Sequence, residues 1–496
     1  MTTTTTTSTP PTRPQTSPRR RILFRLLAVL LGLSPLLLCE ALFALLGWGL
    51  VSEAEDPYVG FSEIRPLFVR RGDRYEIPTS RLTYFRPQSF PAEKGSRTFR
   101  IFCLGGSTVQ GRPYSVETAF STWLALNLQA ADPSRDWEVI NCGGVSYASY
   151  RLAPIVEEVL ELQPDLLILY TGHNEFLEDR TYTDVKETPA PIAAAHNLLA
   201  HSRTYNVLRG AWHGGGDSSA RSELAGEVDA LLDYKGGLEA YRRDDRRRRG
   251  VVEHFEFNLR RMITMADRAG VPVLLVDPVS NLKDCPPFKY QHASDLTDQQ
   301  KDAFDALWKQ AQQLAGEQFE RQYELLQQTL AIDDRHAGVH YHLGKCCEAL
   351  GRHDEAKQHF LRARDEDLCP LRIITPLREA ILRVAADTGT PLVDVRGAFE
   401  AESPHGIPGE ELMLDHVHPD IHGHQMIADL LLEAMEEQQL VTPHDDWRER
   451  RKPLFTAQMQ SLDDVYFQRG RQRLEGLRRW SQGRALKIRP EAILND

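Results

Sequence analysis

The chain is poor in cysteine. It has seven among 496 residues, at positions 39, 103, 142, 285, 346, 347 and 369, with no CxxC pair. That excludes a disulfide scaffold and a zinc-ribbon framework, and Cys346-Cys347 read as helix core. An excess of base is also lacking. The net charge is −11, with 59 Lys+Arg against 70 Asp+Glu, which argues against a dedicated nucleic-acid binder. Glycine (33) and proline (29) show no enrichment, so collagen-like and wholly disordered chains are excluded. A mean hydropathy of −0.41 excludes a polytopic membrane protein. What is present is the composition of a folded protein, 41% hydrophobic and 26% charged. At roughly 100–200 residues per domain, the length allows two to four domains or one large domain with insertions.

Long apolar runs are scarce, and Leu26 to Leu50 is the exception. Twelve of its residues are leucine. As a helix it would measure about 37 Å, longer than a bilayer core of about 30 Å. Arg13, Arg19, Arg20, Arg21 and Arg25 precede it, and Glu53, Glu55 and Asp56 follow it. This predicts an uncleaved signal anchor over 26–50, with a basic, disordered cytoplasmic tail over 1–25. The chain is then a single-pass membrane protein, N-terminus in the cytoplasm and catalytic domain extracytoplasmic, periplasmic or at the cell surface. Glu40 inside the run is read as protonated or snorkelling.

Beyond a stalk or entry segment (51–97), short apolar strands alternate with amphipathic helices. Strands are expected at Thr98 to Leu104, Trp137 to Asn141, Asp165 to Tyr170, Val271 to Val276 and Leu392 to Val395. Such alternation predicts an α/β fold, a three-layer α/β/α sandwich with a mainly parallel, flavodoxin-like sheet. Function in these sheets sits at the carboxyl ends of the strands. Three strands end in glycine plus a polar residue, at Gly105-Gly106-Ser107, Cys142-Gly143-Gly144 and Thr171-Gly172-His173-Asn174.

The core is therefore divided into 98–177, 251–310 and 371–438. A lid-like insertion (178–250) and a helical insertion (311–370) interrupt it, and a helical extension (439–496) follows. Arg246 to Arg249 in the first insertion read as a solvated charged turn. In the second, Leu343-Gly344, Gly351-Arg352, Ala356, Phe360 and Ala363 fall at the offsets of a helix–turn–helix repeat of about 34 residues. The segment resembles a tetratricopeptide repeat; one and a half repeats make no solenoid alone, so it is expected to lean on the enzyme core or on a protein partner.

Two motifs carry chemistry. Gly105-Gly106-Ser107-Thr108 turns a strand into a helix and exposes the Ser107 hydroxyl. Asp415-His416-Val417-His418-Pro419 puts an acid three residues before an imidazole, so that Asp415 can hold His418 while His418 takes a proton from a serine. With Asn141 to Ser146 and Gly172-His173-Asn174-Glu175 between them, these blocks resemble, in order, those of the SGNH hydrolases, also called GDSL esterases and lipases. The resemblance covers about 98–178 and 250–438. It implies Ser107 as nucleophile, His418 as general base and then acid, and Asp415 as its orienting partner. It implies an oxyanion hole from the Ser107 N–H, the Asn174 amide and an N–H of the second block. Ser146 stands where the family has the donor glycine, and Gly144 is the alternative.

No metal or cofactor is expected. His416, His422 and His424 crowd the second motif, but their spacing matches no catalytic metal site. The expected activity is membrane-anchored, extracytoplasmic hydrolysis of carboxylic esters, O-acyl groups of envelope glycans or lipids, through an acyl-enzyme. Acyl transfer at the same site, and a catalytically degenerate scaffold using the repeat-like segment, are the alternatives.

Overall fold

The structure is a computed structural model. It describes residues 18–46, 48, 56–180, 202–205, 207–208, 222–233, 237–314, 316 and 318–482. The chain divides into two units, Met1–Glu55 with Thr188–Asp217, and Asp56–Glu187 with Ser218–Asp496.

The described part of the first unit is dominated by the helix Pro18–Leu46. The expected signal anchor is overturned here. Among the described residues no helix is long and apolar enough to cross a membrane. The helix carries Pro35 and an ionised Glu40 within it. The Glu40 carboxylate accepts hydrogen bonds from the Thr204 and Arg203 amides and from the Thr204 and Ser202 hydroxyls. The Thr204 amide contributes most to lowering its pKa to about 2, against the effect of burial. The membrane anchor, the membrane as partner, the single-pass topology and the extracytoplasmic placement drawn from it are all withdrawn. Residues 1–17 of the expected tail lie outside the described residues, as does most of the lid-like insertion.

Among the described residues the second unit holds ten short strands: β1 Val59–Phe61, β2 Val69–Arg71, β3 Arg74–Glu76, β4 Ser89–Pro91, β5 Thr98–Gly105, β6 Asp136–Gly143, β7 Leu166–Tyr170, β8 Ser222–Leu224, β9 Val273–Val276 and β10 Leu392–Val393. Five form a parallel sheet in the order β10-β9-β7-β5-β6. The stalk region is no free linker. It supplies the antiparallel sheet β2-β3-β4, and Leu67, Phe68 and Phe90 pack into the core.

Both faces of the parallel sheet are apolar because both are covered. On one face Phe102, Leu104, Leu167, Leu169 and Leu275 meet the helices Ser149–Leu160, Asp245–Arg268 and Thr375–Thr388. On the other Ile101, Cys103, Ile168 and Val276 meet Phe120–Ala131, Val395–Glu402 and Ile421–Glu437. Each fully buried side chain of this size contributes about 1.5–3 kcal/mol. The result is the three-layer α/β/α sandwich with a parallel sheet. Arg246 to Arg249 are not a turn: Asp244 caps a helix that starts at Asp245, with its carboxylate on the Arg246 and Arg247 amides.

The described helices of the helical insertion are Phe319–Leu330, Ala337–Ala349 and His353–Asp365, and Asp298–Gln313, which begins in the preceding stretch, packs with them. Phe304, Leu325, Leu326, Val339 and Leu343 share one core there. Gly344 lets the last two helices approach: a Cβ on it would lie 2.6 Å from Phe360 Cε1. No tetratricopeptide repeat is evident, however. About 34 residues upstream of Gly344 and Ala356 stand Gln310 and Gln322, so the small contact residues do not recur. The helices Trp447–Gln460 and Asp464–Ser481 close the described chain, and Trp447 joins the sheet's second core.

Candidate active site

Sheet register decides where the motifs meet. Gly105, the last residue of β5, pairs with Gly143 of β6 on one side and Tyr170 of β7 on the other. Three strands therefore end level. The chain reverses direction across the sheet between β5 and β7, where parallel α/β sheets place their ligands.

Ser107 begins a four-residue helix straight after β5. Its Oγ lies 2.7 Å from His418 Nε2. His418 Nδ1 lies 2.7 Å and 2.9 Å from the two Asp415 carboxylate oxygens. The loop holding that pair is closed by the Leu414 amide on the His418 carbonyl at 2.8 Å. Asp415 Oδ1 also accepts the amides of Val417 and His418. Burial raises the Asp415 pKa, but the neighbouring His418 and His416 outweigh it and hold the acid well below the usual carboxylate range. An ionised acid on Nδ1 keeps the proton there and leaves Nε2 to accept from a hydroxyl.

Asn174 lies over Gly106: a Cβ on Gly106 would come 2.4 Å from Asn174 Nδ2. One Nδ2 hydrogen goes to the Tyr147 carbonyl at 2.9 Å, leaving the second. The Ser107 and Ser146 amides have no hydrogen-bond acceptor among the described residues. Ser146 sits at φ 63°, in the left-handed region that favours glycine. Gly144 is placed differently, since its amide donates to the Gly105 carbonyl at 2.9 Å. The Ser107 and Ser146 amides and one Asn174 Nδ2 hydrogen are thus left unspent, each just beyond the end of one of the three level strands.

Several neighbours are structural. Asn141 bonds the Val109 carbonyl and the Ser121 hydroxyl. Glu175 reaches the amide and hydroxyl of Ser149 at 2.8 and 2.9 Å, satisfying the start of a helix. Asp420 caps the helix Ile421–Glu437 through the Gly423 amide. Burial lowers the pKa of His416 to about 4 and of His424 to about 3, so both imidazoles are neutral. His173, beside Asn174, is likewise lowered to about 3 by burial.

The residues sequence reasoning missed are Tyr147, whose carbonyl steadies Asn174, and Arg112, whose amide donates to the Ser107 carbonyl at 3.1 Å. Arg112 sits five positions after Ser107, a signal that was available. Cys347, Glu355 and His359 have ligand atoms within 4.8 Å of one another. Burial drives the Cys347 thiol up to about 12, which opposes a metal-binding thiolate there. A cavity of about 630 Å³ is lined in part by Phe288, whose edge meets the His416 ring at 5.3 Å.

The fold and site together define a parallel α/β/α protein with a serine, an imidazole and a carboxylate in hydrogen-bonded sequence. No family model and no curated protein matches the chain. Solved structures similar to it include LAE5, an α/β-hydrolase enzyme from the metagenome of Lake Arreo, at 14% identity, covering 70% of this chain and 97% of that one, TM-score 0.32. A lipase/acylhydrolase from Enterococcus faecalis is similar at 13% identity over 70% and 99%, TM-score 0.32. A GDSL-like lipase from Bacteroides thetaiotaomicron is similar at 12% identity over 68% and 88%, TM-score 0.30. At these values no activity carries over, and the architecture rests on the strand order of this chain.

Proposed function

We propose that the chain is a serine hydrolase of the SGNH type that cleaves carboxylic esters through an acyl-enzyme. The observation that supports it is the unbroken hydrogen-bonded series from Ser107 through His418 to Asp415. Ser107 Oγ attacks the ester carbonyl carbon as its proton passes to His418 Nε2. Asp415 stabilises the imidazolium so formed. The carbonyl oxygen becomes an oxyanion, met by the Ser107 and Ser146 amides and Asn174 Nδ2. Donors aimed at developing charge contribute about 3–4 kcal/mol each. The tetrahedral centre collapses, the C–O bond to the alcohol breaks, and His418 returns the proton to the departing oxygen. Water repeats the steps, releasing the acid and restoring Ser107.

The test is turnover of 4-nitrophenyl acetate. Ser107→Ala should abolish it and should abolish labelling by a fluorophosphonate probe, while the far-UV circular dichroism stays that of the parent. Full turnover by folded Ser107→Ala would overturn the assignment.

A further inference from the structure

The buried arginines of this unit are paired with acids. Arg100 meets Glu138, Arg151 meets Glu178, Arg243 meets Glu366 and Arg364 meets Asp365. Pairing is the rule because an uncompensated charge out of water costs several kcal/mol. Near Ser107 two half-buried arginines lack such a partner among the described residues.

Arg112 is anchored there by its own amide, which donates to the Ser107 carbonyl at 3.1 Å. Its guanidinium has no acceptor among the described residues, and neither has that of Arg86; both Nε atoms are buried and unpaired. The third member, Arg473, comes from the helix Asp464–Ser481 and spends one nitrogen on the Tyr114 carbonyl, at 2.7 Å.

The three arginines rise from adjoining segments: Arg473 donates to the carbonyl of Tyr114, two residues after Arg112, and the carbonyl of Tyr84, two residues before Arg86, accepts from Gln110 Nε2 at 2.7 Å. Burial, then Arg86 and Arg473, lower the Arg112 pKa to about 10, and Asp415 raises it. Burial and then Arg473 lower that of Arg86. Exposed Arg469 adds to the same sign beside Arg473. The acids within reach do not balance them. Glu117 is exposed, and Asp415 is already occupied by His418 and two amides.

The position of Arg473 is built rather than incidental. Its helix is held by Tyr466, whose hydroxyl bonds Thr118 Oγ1 at 2.8 Å. Gly470 lies flush against the Tyr114 ring, where a Cβ would approach to 2.2 Å. Arg478 donates to the carbonyl of Leu414, next to Asp415, at 3.1 Å. The guanidinium fork is the side chain best matched to the oxygens of carboxylate, phosphate or sulfate.

We propose that the ester cleaved at Ser107 carries an oxyanionic group, carboxylate, phosphate or sulfate, bound by Arg86, Arg112 and Arg473. This rests on the hydrolase reading of Ser107 and specifies its substrate class. The C-terminal helices then belong to the substrate site, as carriers of one binding residue.

Two pairs of esters test it and separate the side on which the anion lies. The hemisuccinate and butyrate of 4-nitrophenol differ on the acyl side, and 3-acetoxybenzoate and phenyl acetate on the alcohol side. Wild type should prefer the anionic member of one pair about tenfold or more in kcat/KM, expressed in KM, as expected for hydrogen bonds to a charged group. Arg112→Met and Arg473→Met should each shrink that ratio, and Arg473→Lys should recover part of it. Inorganic phosphate should raise the melting temperature of wild type, and of Ser107→Ala, but not of Arg112→Met. No preference in either pair together with no phosphate effect would overturn the proposal, whether or not the arginine variants fold. Loss of the hydrolase reading looks different: neutral esters would turn over in Ser107→Ala, or not at all in wild type. The phosphate response then decides the anion site alone.

Discussion

Ser107 Oγ and His418 Nε2 lie 2.7 Å apart although 311 positions separate them in the chain. Asp415, three residues before His418, completes the series with both oxygens within 2.9 Å of Nδ1. Asp415→Asn keeps the shape and removes the charge that holds the imidazole tautomer. We expect kcat for a neutral ester to fall by about two to four orders of magnitude with little change in KM. Steady-state kinetics check this, and a fall under tenfold would contradict it.

Gly106 is the second point of leverage. A Cβ there would drive into Asn174 Nδ2 at 2.4 Å. Gly106→Ala should displace that donor and lower kcat about 10²–10³-fold, as Asn174→Ala should by deleting it. The double variant should be no worse than the worse single one, since both remove the same contact. A fully additive double variant would show that Gly106 acts elsewhere.

Ser146 adopts φ 63° where glycine is at ease. Ser146→Gly relieves about 1 kcal/mol of left-handed strain and costs a similar amount in unfolded-chain entropy. Its amide remains in place. Chemical denaturation should therefore shift by under about 1 kcal/mol, with ester turnover retained. Loss of activity in Ser146→Gly would mean that the side chain, not the amide, matters.

Acid should unfold the protein through its buried imidazoles. Burial lowers His173, His416 and His424 to about 3, 4 and 3 from an ordinary 6.5. Below 6.5 the unfolded chain takes up these protons and the folded chain does not. Their contribution is thus complete above about pH 6.5 and is lost as pH falls toward the folded values. Asp415, also lowered, acts with the same sign further down. The melting temperature should fall steadily from pH 6.5 to pH 4, and His424→Gln should flatten that slope. A flat profile in wild type would refute the assignment of neutral imidazoles.

Much of the layer architecture was legible. The run from Thr98 to Gly105 is apolar on alternate sides, Ile101 and Cys103 to one core and Phe102 and Leu104 to the other. Such a pattern is readable because it reports burial residue by residue. The helix Pro18–Leu46 was misread for a related reason. An apolar run of bilayer length behind a cluster of arginines suggested a membrane span, whereas the Glu40 carboxylate on that helix is ionised and hydrogen-bonded. The partners of Glu40 lie some 160 positions away and leave no local trace. The helix pair around Gly344 shows the same limit: its close contact with Phe360 was visible, but a repeat needs recurrence that Gln310 and Gln322 do not supply.

The sequence by itself determined the alternation of strand and helix, the glycine turns at three strand ends and the Asp415–His418 spacing. These are local properties, set by side-chain periodicity, backbone freedom and reach over a few residues. Only the tertiary structure decided that β5 lies between β6 and β7, which brings Ser107, Ser146 and Asn174 to one edge. It alone placed Arg473 on the Tyr114 carbonyl and left the Arg86 and Arg112 Nε atoms buried without an acceptor. Strand order and helix docking are choices among distant partners. Burial of both sheet faces settles them, and no stretch of chain carries that information alone.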